Sequence, residues 1–104
     1  MGRRDQHELA SRLTVLVSHL LKWQVQPGHR SASWSATIRE PRKQIVRRLQ
    51  ASPSLRPVLD EVLAKIYVDA REDAAGETGI PEGNFPQGCP FTSDDVLSNS
   101  FLPD

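Results

Sequence analysis

The chain of 104 residues holds a single cysteine, Cys89. One thiol excludes an intrachain disulfide and any zinc site built from several cysteines. It accords with a reducing cytoplasm, the location expected here. No apolar run approaches the roughly 20 residues that span a bilayer, so no membrane role is expected. The start, MGRRDQHELAS, lacks the apolar stretch of a secretory signal, and Asp5 and Gln6 make Gly2 a poor lipidation site. The histidines are His7, His19 and His29. His7 and His19 fall about 120° apart around a helix, which is wrong for a shared metal. There is no H-E-x-x-H, no Gly-rich loop opening a helix and no nucleophile elbow. Neither a metal nor a cofactor is expected, and an enzyme has little residue support.

Net charge is absent too, but the charges are sorted. Residues 1–57 carry 11 Lys and Arg against 3 Asp and Glu, a net of +8; residues 58–104 carry 2 against 10, a net of −8. Two readings compete: halves that pack together and neutralise each other, or a basic nucleic-acid face with an acidic tail. Overall neutrality removes the usual electrostatic footprint of a nucleic-acid binder and favours the first.

What is present is helical periodicity. Leu9, Leu13, Leu16, Val17 and Leu20 share one face of a helix expected over 5–25, which stops where Pro27 disfavours helical geometry and Gly28 frees the turn. A second helix is expected over 32–51, capped by Ser31 or Ser33, with Trp34, Ile38, Ile45 and Leu49 as its apolar stripe. Pro41 lies on that stripe, removes one backbone hydrogen bond and predicts a kink near Thr37–Pro41. A third helix is expected over 53–75. Ser52 and Pro53 are its start signal, Ser54 is the alternative cap, and Pro57 predicts an irregular first turn. Leu55, Leu59, Val62, Leu63, Ile66 and Ala70 make its inner face. From Gly76 the glycines and prolines crowd without a period, which predicts an ordered loop strapped down by Ile80, Phe85 and Phe91, and one short turn capped by Thr92 or Ser93. The fold class expected is all-α: one domain over 1–104, a small bundle of three amphipathic helices with a Gly/Pro-rich C-terminal loop packed on it.

Each candidate site has a structural competitor. Trp23 and Trp34 flank the first corner and could stack a ligand; their place on helical stripes makes them anchors instead. His19 is expected to pack on Trp23 with a ring nitrogen bonded to a backbone or carboxylate oxygen. Tyr67, Phe85 and Cys89 are expected as further anchors, the thiol inert. Asp69 and Asp73 are an i,i+4 carboxylate pair; cross-helix ion pairs with Arg42 or Arg48 are expected to absorb them. Arg39, Lys43 and Arg47 make a basic stripe opposite the apolar one, either a solvated face or a contact surface for phosphates or an acidic partner.

The run HLLKWQVQP, the SW and TI that follow it, then SPSLRPVL, then YVDAREDAAGETGIP and CPF resemble the bacterial family called domain of unknown function 29, DUF29, over nearly the whole chain. The resemblance implies a small all-helical bacterial protein without an assigned activity. The family pattern usually begins with a further helical segment, aromatic at its start and acidic after it, and Met1–Gly2 resembles the middle of that region. A lost segment would leave apolar surface open and favour self-association. Pro41 likewise stands where the family pattern continues its helix. The expected role is non-enzymatic protein contact, by self-association or with a partner helix. The alternative is accessory nucleic-acid binding through Arg39, Lys43, Arg47 and the arginines near the N-terminus. As a core residue, Trp34 would cost about 3 kcal/mol or more on truncation to alanine; thermal melting checks this.

Overall fold

A computed structural model describes residues 3–103; the readings that fall on Met1 and Gly2 lie outside the described residues. Within them the chain is all-helical, with four α-helices and no strand. Helix α1, Arg3–Val25, ends at Gln26 before a 3-10 turn, Pro27–His29. Helix α2, Ala32–Ala51, opens on Ser31, whose hydroxyl accepts the Trp34 N–H at 3.2 Å. Ser31, not Ser33, is therefore the cap. The helix runs unbroken through Pro41.

The third expected helix is two elements. Pro53–Val58 forms a 3-10 segment, and α3 occupies Leu59–Thr78. Pro57 accounts for the division. It has no N–H for an α-helical ladder and disfavours α geometry at Arg56, so regular α-helix begins only beyond it. Neither Ser52 nor Ser54 caps α3, because Val58 holds that position. At the other end α3 continues past residue 75 to a left-handed Gly79, φ 75°, whose N–H reaches the Ala75 carbonyl at 2.9 Å.

The expected turn near the C-terminus is a fourth helix, α4, Ser93–Leu97, closed by a capping box in which Thr92 and Asp95 satisfy each other's backbone N–H groups. Between α3 and α4 the chain keeps a short 3-10 turn, Glu82–Asn84. Phe85 and Phe91 are buried there and Ile80 is partly so.

Helix α1 is the centre. It packs against both α2 and α3, while α2 and α3 touch each other little. Its buried residues accordingly cover two sides: Leu9, Leu13, Leu16, Val17, Leu20 and Leu21 are all fully inside. Ile38, Ile45 and Leu49 meet it from α2; Leu59, Leu63, Ile66 and Ala70 belong to the same core from α3. Burial of this kind contributes about 1.5–3 kcal/mol per large side chain.

One core residue is charged. Arg42, 2 % exposed, points from α2 into the C-terminal segment. Its Nε donates to the Val96 carbonyl at 2.8 Å and its Nη2 to the Phe101 carbonyl at 3.1 Å. Arg42→Ala leaves both oxygens unpartnered and is expected to cost about 3 kcal/mol. Hydrogen exchange should locate the resulting loosening in residues 93–101. Gly76, mid-helix with nothing within 4 Å of an added Cβ, should gain about 0.5–1 kcal/mol on mutation to alanine. Gly79→Ala should lose stability, since its φ is one that side chains resist. Paired thermal melts test the contrast.

Candidate functional site

The corner between α1 and α2 uses both indoles, separately. Trp23 is 8 % exposed and belongs to the core. The Arg30 guanidinium lies 5.5 Å from its ring centroid, and Arg30 Nε donates to the Trp23 carbonyl at 3.0 Å. Trp34 is half-buried at the rim and stacks on His29, ring centroids 5.6 Å apart. His19 does not stack on Trp23 and makes no hydrogen bond among the described residues. It lies between Lys22, Trp34 and Thr37 on one side and α3 on the other. Burial, helped by Lys22 and opposed by Glu77, pulls its pKa below 6.5, so the ring is neutral at pH 7.

The expected ion pairs between Arg42 or Arg48 and Asp69 or Asp73 are absent among the described residues. Arg42 binds backbone oxygens, and Arg48 pairs with Glu8 of α1. The reason is the central position of α1, which keeps α2 from reaching α3. Asp69 and Asp73 stay exposed. Lys22–Glu77, at 3.2 Å, joins the basic and acidic halves. Arg71–Glu82 and Lys65–Glu61 stay within the acidic one. The sorted charges of the sequence thus persist as separate surfaces: Arg39, Lys43 and Arg47 are exposed on α2, and Asp69, Glu72 and Asp73 on α3.

The loop anchors converge on α3. The buried Tyr67 hydroxyl donates to the Pro86 carbonyl at 2.5 Å, and burial pushes its pKa up to about 12. Phe85 is buried, and Arg71 donates to its carbonyl at 3.3 Å. Cys89 is half-buried, its thiol donates to the Phe91 carbonyl at 3.4 Å, and burial raises its pKa, which keeps it protonated and slow to react at neutral pH.

An opening lies between α1 and α3. It is a cleft of about 550 Å³ lined by Val15, Ser18, His19, Glu72, Asp73, Gly76 and Glu77. Sequence reading singled out His19 and Asp73 but placed neither here, and it missed Ser18, Glu72, Gly76 and Glu77. The missed signal was spacing: Glu72, Asp73, Gly76 and Glu77 recur at helical intervals on one side of α3. Ser18, His19 and Asp73 have the residue types of an acyl-transfer triad without its wiring. Ser18 and His19 are adjacent on a helix and diverge by about 100°, and the Ser18 hydroxyl is buried with no hydrogen-bond partner. Among the described residues no three His, Cys, Asp or Glu side chains are grouped to hold a metal ion. No helix among them is long and apolar enough to cross a membrane.

The family model described as domain of unknown function DUF29 matches residues 1–102, and the chain belongs to that family. No curated protein and no solved structure matches it.

Burial ranks the two indoles. Trp23→Ala is expected to cost about 3–5 kcal/mol, and Trp34→Ala clearly less, reversing the emphasis that helical spacing placed on Trp34; equal losses in urea titrations would contradict the ranking. Tyr67 supplies a pH test. Its folded pKa is raised from 10 to about 12, so the unfolded chain ionises first. The stability it contributes is complete below pH 10 and is lost as pH rises towards 12. Tyr67→Phe should flatten that alkaline decline in melts recorded from neutral pH upward.

Proposed function

We propose that this DUF29 protein works by contact with another protein and carries out no reaction of its own. The observation behind this reading is the outer strip of α1. Val15, 48 % exposed, stands where two clefts meet. One is the cleft against α3; the other lies against α2 and is lined by Glu8, Ser11, Arg12, Pro41 and Gln44. A helix held on two sides and open on a third offers a seat for one more helix, by ridge-into-groove packing. The occupant proposed is a helix of a second copy or of a partner protein. The setting proposed is the bacterial cytoplasm, to which the single protonated thiol is suited.

The exposed Arg39, Lys43 and Arg47 on α2 support a second reading, accessory nucleic-acid binding. Nothing aromatic interleaves with them, so such binding would rest on phosphate contacts alone. Retention on heparin or duplex DNA that falls steeply with salt supports this second reading; indifference to both removes it.

For the first reading, sedimentation equilibrium over a wide concentration range is the direct measurement. Self-association is expected, and Val15→Asp should abolish it while changing monomer stability by no more than about 0.5 kcal/mol. A chain that sediments as a monomer throughout, or a Val15→Asp variant that associates like the parent, would count against a contact surface on α1.

A further inference from the structure

We propose that the cleft between α1 and α3 binds an organic cation, the guanidinium or ammonium group at the end of an arginine or lysine side chain. The charge of the walls sets the sign of the ligand. Glu77 shares its charge with Lys22 at 3.2 Å, but Glu72 and Asp73 have no ionic or hydrogen-bonding partner among the described residues. Two carboxylates therefore face the cleft uncompensated, which excludes a phosphate or carboxylate ligand by repulsion.

A second observation is independent of charge. Ser18, 4 % exposed, lines the same cleft, and its hydroxyl is buried without a hydrogen-bond partner. Native structures rarely leave such a group unmatched. A donor entering between the helices would supply the missing bond. His19, kept neutral by burial, adds a ring nitrogen able to accept.

The donor count favours guanidinium or ammonium over a metal ion. Guanidinium carries five N–H groups in a flat fork and ammonium three, and neither has an acceptor. The cleft offers acceptors for them: two free carboxylates, which only accept, and a hydroxyl and a neutral imidazole, each able to accept. A hard divalent ion wants six or more converging oxygens, and no grouping of three candidate ligands exists among the described residues.

Size agrees as well. About 550 Å³ lies within the roughly 300–1,000 Å³ typical of ligand sites, enough for a long side chain with some of its neighbours. Gly76 borders that space, and a Cβ there would meet nothing within 4 Å. That the cation arrives on a partner protein rests on the contact reading above; that the cleft accepts a cation does not.

The experiment is titration of the whole chain with acetyl-Gly-Arg-Gly-amide, followed by calorimetry and by amide shifts of Ser18, His19 and Gly76. The same peptide with citrulline, equal in shape but uncharged, is the control, with spermidine and calcium chloride as further arms. The arginine peptide should shift those three amides, and the citrulline peptide should bind at least about tenfold more weakly. The double variant Glu72→Gln, Asp73→Asn should lose about tenfold in affinity. Gly76→Leu, which adds a helix-favouring side chain pointing into the opening, should block binding without lowering Tm. Tighter binding of the peptide than of spermidine identifies a side chain as the ligand, and the reverse identifies a free amine; either supports a cation site. The proposal is overturned if neither cation shifts these amides, if citrulline binds equally well, if calcium binds more tightly, or if the variants bind like the parent. Sedimentation of the same double variant separates the two readings: undiminished self-association in a chain that binds no cation leaves the contact surface standing and removes only the cation site.

Discussion

The segment around α4 depends on one buried cation, Arg42. Arg42 has left water without a carboxylate to meet it, which is costly unless its N–H groups are matched. They are matched by main-chain oxygens at Val96 and Phe101. Burial lowers its pKa below the ordinary 12.5, yet a guanidinium remains charged at any ordinary pH. The segment around α4 therefore holds the charge in place, and the charge in turn holds α4 against α2. Phe91, which meets Phe101 edge-on with centroids 5.9 Å apart, and the buried Val96 close the apolar part of the same joint.

The second constraint is the central position of α1. A helix buried on two sides separates its neighbours, and that separation explains the electrostatics. Basic α2 and acidic α3 cannot neutralise each other across α1, so their charges stay at the surface and the uncovered strip of α1 runs between them. Serine, valine and histidine on that strip are more polar than a buried seam and more apolar than an ordinary solvated face. The cleft chemistry follows from the same arrangement: Lys22 of α1 answers Glu77, while Glu72 and Asp73 of α3 lie out of reach of basic α2.

Much of this was legible in the sequence. The apolar period located all three long helices, because burying a stripe is what stabilises them. Caps were readable to within two residues, at Ser31 or Ser33 and at Thr92 or Ser93, because a hydroxyl beside free N–H groups is a local event, and the fold takes Ser31 and Thr92. Pro57 announced an irregular start but not its extent, since a 3-10 segment is decided by packing against α2 and α3 as well as by the ring. The ion pairs were misread for a longer-range reason: periodicity shows which face of a helix points inward and says nothing about which helix it meets. Arg42 looked like the flank of a stripe, and its partners are backbone oxygens, which no side-chain pattern announces. The cleft was half visible. Its acidic spacing lies in the sequence, but Ser18 gains meaning only with α3 set beside α1.

The grip of Arg42 on backbone oxygens has a consequence for sequence drift. A guanidinium that reads carbonyls is blind to the letters of the segment it holds, so the polar residues between Leu97 and Phe101 are free to vary. What cannot vary is the path length from one oxygen to the other. In this stretch a lineage can exchange residues at little cost, whereas a single insertion or deletion would slip the tail off its anchor.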